Sequence, residues 1–394
     1  MAMSEFDELL PPDRLLMGPG PSEVHPRVLR AMSTPLVGHL DPAFLEIMDQ
    51  VQSLLRHTLR TENRWTLPVS GTGSAAMEAA FANMVEPGDT VLAPSNGYFG
   101  DRMAAMTRRA GGRVVRVDAP WGEPLDPEDV RNALREHRPE IFAFVHAETS
   151  TGVLQPHVSE LAAMAHEHDA FVIVDAVTSL GGVELRVDDW DLDVVYSGAQ
   201  KCLSCPPGAS PLTLDDGALQ KVLERSEPAG SWYLDLALLE GYWGQERSYH
   251  HTAPVTNIYA LREALRLVAE EGIEERWARH RRVAGALRDG LVAMGLEMNA
   301  PEEAWLPSLA AVRIPDGVDG GKVRKRLLEH HGIEIAGGLG DLAGQIFRIG
   351  CMGHSARAGN VLRTLAALGG ELEREKASVD PGAGLDAARS SLEA

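Results

Sequence analysis

Cysteine is scarce in this sequence: Cys202, Cys205 and Cys351 are the only three in a chain of 394 residues. A disulfide-built scaffold is excluded. Long apolar runs are missing as well, and none approaches the ~20 residues that a membrane-spanning helix requires. Basic residues are outnumbered, 37 lysines and arginines against 57 aspartates and glutamates, for a formal charge of −20. So acidic a surface repels phosphate backbones and anionic lipid headgroups, which argues against nucleic acid and membranes as partners. Residues 1–8 are acidic where a secretory leader is basic and then apolar. The expectation is a soluble, cytoplasmic protein with reduced thiols. With 44% hydrophobic and 24% charged residues the composition is that of a globular protein, and its length suggests two or three domains at roughly 150 residues each.

Helical and strand periods alternate along most of the chain, the pattern of an α/β fold. Short apolar runs at 90–94, 141–145, 171–175 and 194–197 read as strands of a mostly parallel sheet. Amphipathic stretches at 75–84, 126–137 and 158–168 read as crossover helices. From 262 to 294 the pattern is long, charged and helical, and strands at 310–314 and 346–349 then flank a helix at 321–331. The predicted division is an N-terminal arm over 1–22, a large domain over 23–271 and a smaller C-terminal α+β domain over 272–370. The tail, 371–394, has little apolar periodicity and is expected to fray.

The most informative stretch is Val172-Ile-Val-Asp-Ala-Val-Thr-Ser-Leu180, followed by Asp193-Val-Val-Tyr-Ser-Gly-Ala-Gln-Lys201. An aspartate ends one buried strand and a lysine follows the next, which sets an acid and an amine at the carboxyl edge of one sheet, where open α/β sheets bind ligands. Pyridoxal 5'-phosphate (PLP) chemistry needs this pair, a lysine for the Schiff base and a carboxylate that keeps the pyridine nitrogen protonated. Taken singly, each has a plainer reading as a strand-end acid and a solvated amine. A second signal is Thr66-Leu-Pro-Val-Ser-Gly-Thr-Gly-Ser-Ala-Ala-Met77, in which strand, Gly-rich turn and helix N-terminus form a cup for a phosphate. The same segment satisfies G-x-G-x-x-A. A dinucleotide site, however, wants an acid at the end of the next strand, whereas Glu86 and Asp89 precede it.

Cys202-Leu-Ser-Cys205 has no second ligand pair for zinc, so the cysteines read as structural. His250-His251, His166-Glu-His168 and His330-His331 lack a further ligand at metal spacing and read as packing or surface residues; no metal is expected. Arg348 sits inside a short strand. A structural ion pair is its plain reading, and bidentate capture of a substrate carboxylate its functional one.

Together these residues resemble a known family. Met17-Gly-Pro-Gly-Pro-Ser22, Ser70-Gly-Thr-Gly-Ser74, Glu148-Thr-Ser-Thr-Gly-Val-Leu-Gln-Pro156, Asp175-Ala-Val-Thr-Ser-Leu-Gly-Gly182, Tyr196-Ser-Gly-Ala-Gln-Lys201, Tyr249-His-His-Thr252, Gly337-Gly-Leu-Gly340 and Arg348-Ile-Gly350 are similar, in order, to motifs of class V aminotransferases of PLP fold type I. The likeness is closest to the alanine-glyoxylate and serine-pyruvate enzymes. It implies that Lys201 is the Schiff-base lysine and Asp175 the partner of the pyridine nitrogen. Val177 would pack on one ring face and Phe99 on the other, where the family often has tryptophan. Thr149 would bond the ring hydroxyl. Thr72, Gly73, Ser74 and Gln200 would hold the phosphate, joined by Tyr249 and Thr252 from the other subunit of a homodimer; Ser74 stands where some members have histidine. Arg348 would bind the substrate carboxylate, with Gly20 and Thr149 beside it.

The implied reaction is ping-pong transfer of an amino group from alanine or serine to glyoxylate or pyruvate, with Lys201 as acid and base. Ureidoglycine-glyoxylate aminotransferases share much of the framework. They tend to carry glutamine where this chain has His39, and their motif differs from Ser70-Gly-Thr-Gly-Ser74, which favours the alanine or serine enzymes and leaves the donor open. Cysteine desulfurases need a nucleophilic cysteine before the carboxylate-binding arginine, whereas Cys351 follows Arg348. A non-catalytic PLP-binding carrier would keep Lys201 and Asp175 but have no use for Arg348.

Overall fold

The apolar runs become strands because they are covered on both faces. The computed structural model describes residues 8–393. Strands β1 (Trp65–Gly71), β2 (Thr90–Leu92), β3 (Arg113–Val115), β4 (Ile141–Val145), β5 (Phe171–Asp175), β6 (Val194–Tyr196) and β7 (Gly208–Leu214) form one seven-stranded sheet in the spatial order β1-β7-β6-β5-β4-β2-β3. Neighbours run parallel except β7, which is antiparallel to β1 and β6. Every residue of β4 is buried, as a strand between two helical layers requires. Helices of those layers include α1 (Pro42–Leu59), α2 (Gly73–Met84), α3 (Tyr98–Arg109), α4 (Pro127–His137) and α5 (Val158–His166). Local signals set their ends: Asp126 caps α4 by accepting the Glu128 N–H at 2.8 Å, Pro127 opens it, and Arg138 closes it at φ +41°. The register places Asp175 beside Val145 and Tyr196, so the ends of β4, β5 and β6 share one edge.

The second half holds α6 (Val255–Glu271), α7 (Ile273–Ala293), β8 (Leu309–Arg313), α8 (Gly320–His331), β9 (Ala336–Gly337), β10 (Ile346–Gly350), α9 (Ala358–Arg374) and α10 (Pro381–Glu393). Here β10 lies between β8 and β9, antiparallel to both. Val283, Leu287, Leu327, Phe347 and Leu365 belong to a core of their own. A separate core runs through the large sheet and its helices as far as Trp277.

The helical stretch over 262–294 divides at Gly272, whose φ of +85° is costly for a residue with a Cβ. Two sequence expectations are corrected. Residues 1–7 of the expected arm lie outside the described residues. From Leu15 onward the segment is no arm: Leu15–Leu16 pairs in parallel with Ile333–Glu334, and Leu15 and Met17 are buried in the second core. The expected tail contains the end of α9 and all of α10, which packs on α7. Its contact residues are small. A Cβ on Gly384 would lie 2.7 Å from the Gly290 carbonyl oxygen, and Ala388 is fully buried. Backbone-close packing through Gly and Ala leaves almost no hydropathy pattern to read.

Candidate active site

Lys201 follows β6 on a tight turn held from several sides. The Ser197 N–H donates to the Pro211 carbonyl at 2.8 Å and the Ser197 hydroxyl to the Ala176 carbonyl at 2.8 Å, while Ser204 closes the turn at φ +53°. The N-terminal segment crosses over it. Ser22 N–H donates to the Gln200 carbonyl at 2.9 Å and Ser22 Oγ to the Lys201 carbonyl at 2.6 Å. Lys201 Nζ donates to the Pro19 carbonyl. A Cβ on Gly20 would lie 2.7 Å from Lys201 Cδ, so only glycine lets the backbone pass this close.

Asp175 ends β5, with one carboxylate oxygen accepting the Val177 N–H at 2.8 Å. No cation neutralises it directly, and burial pushes it up to about 7. Burial, helped by the positive charge of Arg348, pulls Lys201 down to about 8. The Tyr196 hydroxyl, beside Asp175 in register, is buried without a regular hydrogen-bond partner. Val177 faces both Gly73 and Gly198, where a Cβ would sit 3.3 Å from its methyl groups.

Arg348 reaches the same edge from the smaller half. Its Nε donates to the Gly337 carbonyl at 2.7 Å and one Nη to the Thr149 carbonyl at 3.2 Å; partial burial lowers its pKa to about 10. Phe99 opens α3 and donates its N–H to Glu148 at 3.0 Å. The cup is at the start of α2: Thr72 is its N-cap yet makes no capping bond with its side chain, and Ser74 Oγ accepts from Arg102 at 2.8 Å. Lys201, Asp175, Gly20, Gly73, Val177 and Gln200 are therefore brought together, with Arg348 and Thr149 adjoining. Tyr249 and Thr252 stay exposed. Their segment is tied to the cup strand through His251, whose Nε2 lies 2.7 Å from Ser70 Oγ.

Four residues escaped the sequence reading as site residues. Glu148 is buried and accepts from Ser150 N–H and Oγ as well as Phe99, and burial raises its pKa. His146, pushed down to about 4 by burial, is neutral and pairs with Ser179 Oγ at 3.0 Å. Tyr196 and Arg102 are the others. Glu148 and Tyr196 stood inside quoted motifs; nothing in their spacing marks them as buried beside a ligand site. The histidine pairs meet acids or each other: His166 and Asp193 at 2.9 Å, His331 and Glu371 at 2.9 Å, and His250 and His251 at 2.8 Å. All three cysteines are buried and unpaired, and burial pushes Cys202 up to about 11 and Cys351 to about 12, away from nucleophilic thiolates.

A sheet edge carrying a buried, easily deprotonated lysine opposite an uncompensated carboxylate, with an arginine fork alongside, defines an enzyme for amino-acid chemistry. Residues 16–359 match the family model for class V aminotransferases. The chain is 44% identical to the (S)-ureidoglycine–glyoxylate transaminase of Bacillus subtilis over 98% of this chain and 97% of that protein, whose crystal structure superposes with a TM-score of 0.96. A crystal structure of an alanine–glyoxylate aminotransferase from Nostoc sp. is 51% identical with a TM-score of 0.91, covering 93% of this chain and 97% of that one. The alanine–glyoxylate aminotransferase of Mus musculus is 40% identical over 91% of this chain and 87% of that protein. This chain belongs to the class V aminotransferases and is a PLP-dependent aminotransferase of fold type I.

Proposed function

We propose that the protein moves the amino group of a small L-amino acid, alanine or serine, to glyoxylate or pyruvate, with PLP held at Lys201. One observation carries the reading: a buried lysine lowered to about 8 and a buried aspartate raised to about 7 share a sheet edge with Arg348. The residues present fit PLP. Asp175 lacks the cation that a pyridinium N–H would supply, and Thr72 keeps its hydroxyl free at a helix N-terminus. Gly73 and Gly198 bring their backbone against Val177, where a Cβ would crowd its methyl groups at 3.3 Å.

When bound, PLP supplies an electron-accepting ring for the carbon that loses its proton. The chain's own residues do the rest. Lys201 Nζ takes the proton from the substrate α-carbon and returns it on the cofactor side, which its lowered pKa permits near neutral pH. Asp175 keeps a proton on the ring nitrogen through a charged hydrogen bond. Arg348 holds the substrate carboxylate and so fixes which α-carbon bond faces the ring, with Gly20 and Thr149 beside it. Val177 and Phe99 enclose the ring. Thr72, Gly73, Ser74 and Gln200 bind the phosphate, and Tyr249 and Thr252 complete the cup in a homodimer.

Exposed Leu36, Leu40, Trp232, Tyr233, Leu238 and Tyr249 supply apolar surface for that second copy. Three unpaired thiols suit a cytoplasmic setting. No described helix is long and apolar enough to cross a membrane.

The relative from Bacillus subtilis favours a second reading, with (S)-ureidoglycine as the donor. Steady-state rates on alanine, serine and ureidoglycine against glyoxylate and pyruvate decide between them. The highest kcat/KM is expected with alanine or serine; a preference for ureidoglycine by tenfold or more replaces the first reading with the second.

A further inference from the structure

The phosphate cup has a charge deficit. Its hydroxyls, the Gln200 amide and the helix N-terminus are formally neutral, whereas a phosphate monoester carries about −1.5 to −2 at pH 7. The chain as a whole is at −20. One cation stands at the rim. Arg102, on the first turns of α3, donates from Nη1 to Ser74 Oγ at 2.8 Å and lies over the Phe99 ring at 4.9 Å and the Tyr98 ring at 5.3 Å. The neighbouring acid, Asp101, is engaged by Arg116 at 2.7 Å. Arg102 thus keeps its positive charge uncompensated next to the cup, in a fixed orientation set by two rings and a hydroxyl.

We propose that Arg102 is a cofactor-positioning residue: it supplies the positive charge for the phosphate dianion and fixes the ring that Phe99 offers the cofactor. The inference rests on the reading of this edge as a PLP site. Its mechanism is local. A Ser74 oxygen that accepts from Arg102 has its own proton to give, so the guanidinium turns the serine hydroxyl outward as a donor to the phosphate. The same guanidinium lies on the smaller aromatic that this chain carries at position 99, limiting its ring to one orientation. Charge and orientation are therefore joined in one side chain, and a lysine keeps the first while losing the planar fork.

The test compares two ligands that differ only in the phosphate. Cofactor-free wild type, Arg102→Gln and Arg102→Lys are titrated with PLP and with pyridoxal, which lacks the phosphate, by absorbance at pH 5.5 and pH 8. Arg102→Gln is expected to weaken PLP at least tenfold and pyridoxal less than twofold. It should also flatten the gain in PLP affinity that wild type shows as the phosphate loses its second proton near pH 6. Arg102→Lys should remain within threefold of wild type for PLP. Equal weakening of both ligands, no weakening of either, or a lysine variant as weak as the glutamine one overturns the inference. A wild type that binds no PLP, or takes borohydride label somewhere other than Lys201, instead brings down the underlying reading, and that result is distinct from any of these.

Discussion

The two ends of the site differ in how deeply they are buried. At the lysine end, Lys201 is 9% and Asp175 2% exposed, and both are held by backbone of β5, β6 and the segment over 19–22. At the phosphate end, Thr72, Ser74 and Thr252 face solvent and Tyr249 is 60% exposed. Burial does the work at the first end, since removing water brings an acid and an amine to within reach of neutral pH from opposite sides. At the second end each hydroxyl still competes with water, and a hydrogen bond there contributes little until an anion and further protein surround it. Burial thus sets the chemistry of the first end, while the second end lies open to solvent.

The largest effect is expected at Asp175. Asp175→Asn cannot hold a proton on the ring nitrogen by charge, and kcat is expected to fall by about 10²–10³, with PLP still bound. The cofactor-free protein should respond in the other direction. The folded pKa of Asp175, near 7, lies above the ordinary 3.8, so the wild type loses stability as pH rises from about 4 through about 7, and the Asp175→Asn variant does not share that loss. Melting curves without cofactor should show the variant gaining relative to wild type across that interval, then keeping a constant offset from it above about pH 7. A pH-independent gap would mean that Asp175 is ionised at little cost.

Arg348→Lys sharpens the contrast from the substrate side. It keeps the charge and loses the fork, so kcat/KM for amino acid and keto acid should drop by roughly tenfold or more while PLP affinity holds. Unchanged donor kinetics would place the carboxylate elsewhere. The smallest effect belongs to the open end. Lys201→Ala and a Tyr249→Ala/Thr252→Ala variant, unfolded and refolded together, should recover about a quarter of wild-type activity if the cup is completed by a second chain, because random pairing makes about half the dimers mixed with one intact site in each. Activity no higher than the mean of the two parents would confine those residues to their own chain.

Legibility in the sequence followed the same divide. Asp175 and Lys201 could be read because buried strands announce themselves as apolar runs and a charge at their ends stands out. The fold class followed from the same alternation. Arg102 could not be read, since an arginine in an amphipathic helix has the pattern of any solvated face; only the folded chain shows it lying on Phe99 and bonded to Ser74. Glu148 was hidden for a related reason, its burial being set by Phe99 and Ser150 closing over it. The C-terminal helix escaped because it packs through glycine and alanine, which leave little apolar periodicity to read.

The short crossing over 15–22 is a tie between the two halves. At its start, Leu15–Leu16 is paired with Ile333–Glu334, and the Gly350 N–H donates to the Met17 carbonyl at 2.8 Å, next to the strand that carries Arg348. Five residues later the same segment is bonded to Gln200 and Lys201 and offers Lys201 Nζ the Pro19 carbonyl. So short a span has little slack. The segment therefore ties the strand that carries Arg348 to the turn that carries Lys201 with no intervening loop.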